Sequence, residues 1–196
     1  MAANRNNNYF LEKKDLEDLG IRCGKNCKVH STTIILNPKK LTLGNNVRID
    51  AYTVIINVKN VKICNYIHIG SHVLIQANKA NIYLRDYCGV SSGVKIFTST
   101  DDYSGKHFYG PFNKKSKFSN KIQTINLKKF CIIGTNSVVL PGAIFSEGSV
   151  AGALSFINKK LDSWSIYYGM PLKKLSKRQK KIFQNEKKFK KFFLKQ

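Results

Sequence analysis

Leu127-Lys-Lys-Phe-Cys-Ile-Ile133-Gly-Thr-Asn-Ser-Val-Val139-Leu-Pro-Gly-Ala-Ile-Phe145-Ser-Glu-Gly-Ser-Val-Ala151-Gly-Ala-Leu-Ser-Phe-Ile157 decides the fold, because an apolar residue returns at every sixth position through it. The same spacing runs upstream through Cys23, Val29, Ile35, then Leu43, Ile49, Ile55, then Ile63, Ile69, Ile75, then Leu84, Val90, Ile96. Fifteen of these eighteen positions are Ile, Leu or Val. A helix repeats every ~3.6 residues and a strand every ~2, so neither accounts for the pattern. A period of six requires a chain that turns a corner after each short side and points one residue inward per side. Three sides close one coil.

Four residues beyond most inward positions the residue is small or β-branched, as at Cys27, Thr33, Val47, Thr53, Val73, Cys88, Val94, Thr100, Cys131, Ser137, Ala143, Ser149 and Ser155, while Lys39, Lys59 and Lys79 replace it at one corner. A tight corner leaves room for nothing larger. Gly24, Gly44, Gly70, Gly134 and Gly152 follow the inward residue directly, and Asn45, Asn46 and Asn136 stand in the turns, where these residue types relieve backbone strain. The expected architecture is an all-β solenoid of hexapeptide repeats. The early coils are 20 or 21 residues long, since Leu43, Ile63 and Leu84 open successive coils. The surplus falls at one corner, around Lys39, Lys59 and Lys79, which is expected to bulge into solvent.

The chain has 196 residues, 42% of them hydrophobic, enough for one core and short appendages. Residues 1–20 carry no hexad, and Leu11, Asp15, Leu16 and Leu19 predict a short amphipathic helix capping the first coil, as solenoid ends require. Residues 21–171 form the solenoid, with an excursion loop at 101–126. Residues 172–196 are lysine-rich and predict a helix, whose stretch Lys187–Lys195 is basic and aromatic enough for an anionic membrane surface. Of the five cysteines, Cys27, Cys88 and Cys131 occupy corner positions and Cys23 an inward one, as small hydrophobes. With no apolar run of membrane-spanning length and no leader pattern, the expected compartment is the reducing cytoplasm. The net charge of +23 implies an anionic partner, an anionic surface or a lysine-rich coding bias, but the lysines are dispersed and no nucleic-acid module or alternating basic and aromatic strand is present. A small polyanionic cofactor or nucleotide therefore fits better than nucleic acid.

Between Ile96 and Leu127 the hexads stop, and the interruption reads Phe97-Thr-Ser-Thr-Asp-Asp-Tyr-Ser-Gly-Lys-His-Phe-Tyr-Gly-Pro111. Register resumes only if such an insert leaves and re-enters at one corner. A long loop on a rigid scaffold is usually functional, and this one concentrates carboxylates, aromatics and a histidine. A histidine at position 68 precedes inward Ile69, so its side chain should point away from the prism. His30, His68, His72 and His107 do not show the spacing of a convergent zinc site, and no metal is expected.

The hexads, the loop after the fourth coil, the Ile133-Gly-Thr-Asn-Ser-Val-Val-Leu-Pro-Gly142 run and the Tyr168-Gly-Met-Pro-Leu-Lys173 close together resemble the left-handed β-helix hexapeptide acyltransferases. The Ser99-Thr-Asp-Asp-Tyr-Ser-Gly105 segment is similar to the sugar acetyltransferases of bacterial surface-polysaccharide synthesis, in the branch acting on nucleotide-linked aminosugars. The resemblance implies left-handed winding, a homotrimer with active sites between subunits, and acetyl-CoA as cosubstrate. It also implies direct N-acetylation of a dTDP- or UDP-linked aminodideoxysugar, with O-acetylation of a glycan hydroxyl as the alternative. The galactoside and maltose acetyltransferases place a catalytic histidine in the first part of the loop, where this chain has Asp101. A carboxylate suits an ammonium acceptor better than a hydroxyl. His68 is the competing base. Asp102, Tyr103 and His107 are the expected sugar contacts. By the same resemblance Thr135 and Ala153 hold pantetheine through their backbones, and Asn158, Lys159 and Lys173 lie near the adenosine phosphates.

Overall fold

The computed structural model describes residues 9–101, 103–106, 121–183 and 186. Its chain winds into a three-sided prism of parallel strands. Face 1 stacks Arg22–Cys23, Leu41–Leu43, Val61–Ile63, Ile82–Leu84, Ile125–Leu127, Ile144–Phe145 and Lys160–Leu161. Face 2 stacks Lys28–His30, Val47–Ile49, Ile67–Ile69, Gly89–Val90, Ile132–Ile133, Val150–Ala151 and Ser165–Tyr168. Face 3 stacks Ile34–Ile35, Val54–Ile56, Leu74–Gln76, Lys95–Phe97, Val138–Val139 and Phe156–Ile157. Every predicted inward residue from Leu43 to Ile157 is buried to 2% exposure or less. In the first coil Cys23 and Ile35 are only partly covered.

The corner residues explain why small side chains with a hydroxyl or thiol recur. Each sits beneath the next coil and donates to one of its carbonyls: Thr53 Oγ1 to Gly70 O at 3.0 Å, Ser137 Oγ to Gly152 O at 3.0 Å, and Cys27 Sγ to Gly44 O at 2.9 Å. A buried polar group left unpaired would cost stability, and these ladders leave none at the corner. The corner between faces 1 and 2, where Cys27 sits, adds a second device. Tyr66, Tyr87, Phe130 and Trp164 all adopt positive φ there, a conformation side chains avoid. Their rings offset the strain by stacking, with centroids 5.1 Å apart from Tyr66 to Tyr87 and from Tyr87 to Phe130.

The corner between faces 3 and 1 bulges as expected, with Lys39, Lys59 and Lys79 exposed. The excursion loop is an enlargement of this same corner. It departs after Lys95–Phe97 of face 3 and returns at Ile125–Leu127 of face 1, which pairs directly with Ile82–Leu84. No coil is lost, so the loop is added to an unbroken prism.

Both ends are capped. The N-terminal helix, Lys13–Asp18, drives Leu16 into the core, and Phe10–Leu11 pairs antiparallel with Lys28–His30. At the other end the expected helix is corrected over Lys173–Lys177, which form a strand antiparallel to Ser165–Tyr168. The physical reason is the open edge of face 2, whose backbone groups the strand satisfies. Leu172 is buried across the end of the prism, and Arg178 Nη1 bonds Phe130 O at 2.6 Å and Gly148 O at 3.1 Å. Among the described residues no helix is long and apolar enough to cross a membrane. The basic stretch Lys187–Lys195 lies outside the described residues.

Candidate active site

The root of the excursion loop is a two-stranded stem. Thr100 N bonds Lys121 O at 3.3 Å, Gln123 N bonds Thr98 O at 3.1 Å, and Ser99 bridges Ile122 antiparallel. Thr98 is buried, and its hydroxyl donates to Gln76 O at 3.2 Å, which locks the stem to the coil below. Asp101 and Tyr103 therefore emerge at a fixed place. Both are exposed, Tyr103 by 85%. They overhang a groove of about 360 Å³ whose floor is the outer surface of face 3, including Gln76, Phe97 and Leu140. Asn78 also lines it, and its Oδ1 is a buried acceptor with no partner among the described residues, free to accept from a ligand. Asp102 and His107 lie outside the described residues.

His68 stands on the outer surface of face 2 with its side chain 60% exposed. Its Nε2 is 2.6 Å from Asp50 Oδ2, and Arg48 Nε donates to Asp50 Oδ1 at 2.7 Å. Partial burial disfavours the charge on Asp50, but the hydrogen bonds from Arg48 and His68 outweigh it and hold the carboxyl below its usual range. Arg48 is itself pinned under the ring of Phe10, 4.9 Å from the centroid. Sequence reasoning missed Asp50. Adding a coil of 20 residues to Arg48 gives His68, and Asp50 lies two residues on from Arg48 along the same outer surface, so the signal was there.

Within one chain Asp101 and His68 do not converge, for the loop leaves the corner between faces 3 and 1 while His68 lies on face 2. Thr135 and Ala153 do come together, on successive turns of the corner between faces 2 and 3, where Leu154 N bonds Thr135 O at 2.9 Å. The coils touch so closely there that a Cβ on Gly134 would lie 2.3 Å from Ala153 N. Lys173 follows on the capping strand, opposite Tyr168. Asn158 and Lys159 sit at the far end of the last strand of face 3, and Lys159 Nζ donates to Leu172 O at 2.7 Å. Among the described residues no group of three or more His, Cys, Asp or Glu side chains is placed to hold a metal ion.

A prism of hexapeptide coils with one loop overhanging a side groove is the build of the β-solenoid acyltransferases. No protein-family model matches the chain. The N-acyltransferase AntD from Bacillus cereus, solved with dTDP and 3-hydroxybutyryl-CoA, superimposes with a TM-score of 0.89 at 32% identity over 95% of this chain and 99% of that one. The dTDP-4-amino-4,6-dideoxy-D-glucose acyltransferase of Escherichia coli is 34% identical over 112 residues, a match spanning 57% of this chain and 58% of that enzyme's length. A maltose O-acetyltransferase from Clostridium difficile 630 shares the fold alone, with a TM-score of 0.54 at 18% identity. The chain belongs to the N-acyltransferase family that AntD represents.

Proposed function

We propose that the protein transfers an acetyl group from acetyl-CoA to the amino group of a dTDP-linked 4-amino-4,6-dideoxysugar destined for a bacterial surface polysaccharide. The acceptor nitrogen attacks the thioester carbon, the new N–C bond forms as the C–S bond breaks, and CoA leaves. The observation that carries this reading is the full-length likeness to an N-acyltransferase holding dTDP and an acyl-CoA, combined with an exposed carboxylate, Asp101, fixed over the groove. That charge attracts the acceptor's ammonium, and His68 is the second group able to take the proton that the nitrogen sheds. Asp102, Tyr103 and His107 are assigned to the sugar. Thr135 and Ala153 are assigned to pantetheine, and Asn158, Lys159 and Lys173 to the phosphates, where charge-assisted contacts are strongest.

The proposed assembly is a homotrimer of left-handed prisms, in the reducing cytoplasm where the nucleotide sugar is made. Face 3 supports it. Its outer surface carries Ile34 at 55% and Leu36 at 58% exposure, flanked by half-buried Val54, Ile56, Leu74 and Val138. The apolar part of this surface, Ile34, Leu36, Val54, Ile56 and Leu74 on the first three coils, is of the kind that marks a contact with another chain. Packing it against face 2 of a neighbour would bring the loop of one copy toward His68 of the next. The test is CoA release with dTDP-4-amino-4,6-dideoxyglucose against its 4-hydroxy counterpart. Turnover confined to the amine is expected. Equal or greater turnover of the hydroxyl sugar would establish O-acetylation instead.

A further inference from the structure

We propose that Asp50 is a positioning residue for His68 and that the bare backbone of Gly89 holds open the gap in which the acceptor nitrogen meets that imidazole. The inference rests on the acyl-transfer reading above and gives His68 the proton-accepting step, leaving Asp101 to attract the ammonium.

Two independent features of face 2 support it. The first is the hydrogen bond at 2.6 Å between His68 Nε2 and Asp50 Oδ2. A carboxylate can only accept, so Nε2 carries the proton and Nδ1 is left as the lone-pair nitrogen. Nδ1 has no partner among the described residues. Asp50 cannot swing away, because Arg48 holds its other oxygen at 2.7 Å and its own backbone N–H bonds Ile69 O at 2.9 Å. A histidine merely decorating a surface has no need of an ionised, doubly bonded carboxylate behind it.

The second feature is the residue beside His68 in the ladder. Arg48, His68, Gly89 and Ile132 occupy the same outward position on successive coils. Gly89 is not needed by its backbone, which lies outside the positive-φ region. Nor is it needed for packing, since a Cβ there would meet only Ile132, at 3.9 Å. The glycines at the corners differ, for a Cβ on Gly70 would lie 2.7 Å from Ser92 N. What Gly89 provides is empty space between the imidazole and Ile132. An amine lodged there attacks the thioester carbon while Nδ1 takes the proton it loses. The departing CoA thiolate then receives a proton, so charge and hydrogen balance.

The experiment compares the full-length enzyme with Asp50→Asn and Gly89→Ala, using dTDP-4-amino-4,6-dideoxyglucose and acetyl-CoA. Asp50→Asn should lower kcat about 10- to 100-fold and leave the KM for acetyl-CoA within about twofold. Nitrogen NMR of the imidazole should place the proton of His68 on Nε2 in the wild type and lose that preference in the variant. Gly89→Ala should keep the melting temperature and lower kcat/KM for the sugar about tenfold. It also decides the matter if Asp50→Asn does not fold. Wild-type turnover in either folded variant would overturn the proposal. An inactive wild type would refute the functional reading and the dyad's role with it, whereas an active wild type with a fully active Asp50→Asn refutes the dyad alone.

Discussion

Phe145 and Ile144 are neighbours in sequence with opposite fates. Phe145 is the bulkiest of the fully buried side chains among the described residues, inward on face 1 between Leu127 and Leu161, whereas Ile144 points outward beside Lys160 and is 45% exposed. The coil that holds Phe145 is completed by Ala151 and Ile157, so the one large ring offsets the one methyl side chain and the cross-section stays filled. Phe145→Ala would put two alanines in a layer of three inward residues, a void that neighbouring layers cannot close because hydrogen bonds fix the coil spacing. The expected loss is at the upper part of the range for such truncations, about 4–5 kcal/mol. For a chain of this size that lowers the melting temperature by roughly 8–20 °C. Ile144→Ala removes a side chain already half in water and should cost less than about 1 kcal/mol. Chemical denaturation of both variants at matched protein concentration reads the difference directly. An Ile144→Ala loss equal to that of Phe145→Ala would place the register one residue out and refute the inward assignment of the whole hexad.

The site gives two further expectations, both measured by steady-state CoA release. Asp101→Asn keeps the shape of the loop but removes the charge that attracts the ammonium, so turnover and kcat/KM for the aminosugar should fall about 10- to 100-fold with acetyl-CoA affinity little changed; unchanged sugar kinetics would contradict its role. Lys173→Ala should do the reverse, raising the KM for acetyl-CoA severalfold at nearly constant kcat, because a charge-assisted contact to phosphate is lost from both ground and transition states.

The prism was legible from residue spacing alone because each coil repeats the same demand: one inward aliphatic residue per side and one small corner residue beneath the next coil's carbonyl. The bulged corner followed from the surplus residues at Lys39, Lys59 and Lys79, and the place of the loop from the break in the hexads between Ile96 and Leu127. The capping strand Lys173–Lys177 was not legible. Its residues are good helix formers, and the reason they extend is the unpaired edge of Ser165–Tyr168, a tertiary fact. The aromatic corner was missed for a similar reason, as the positive-φ turn position held by Asn26 and Asn46 is filled at Tyr66, Tyr87 and Phe130 by rings that stack from coil to coil, a contact visible only in the fold. His68 and Asp101 were both found as candidates, but their placement on separate faces became visible only in the fold. Asp50 escaped notice because its partner lies a full coil away in sequence.

In the proposed homotrimer each active site is shared by two copies of the chain, and subunit mixing tests this most directly. Asp101→Asn and His68→Ala are each expected to be nearly inactive. Unfolded together in equal amounts and refolded, they should regain activity at about one quarter of the sites, the fraction in which random assortment joins an intact Asp101 to an intact His68 from the next subunit. A mixture no more active than its two parents would show that no site is built across the seam.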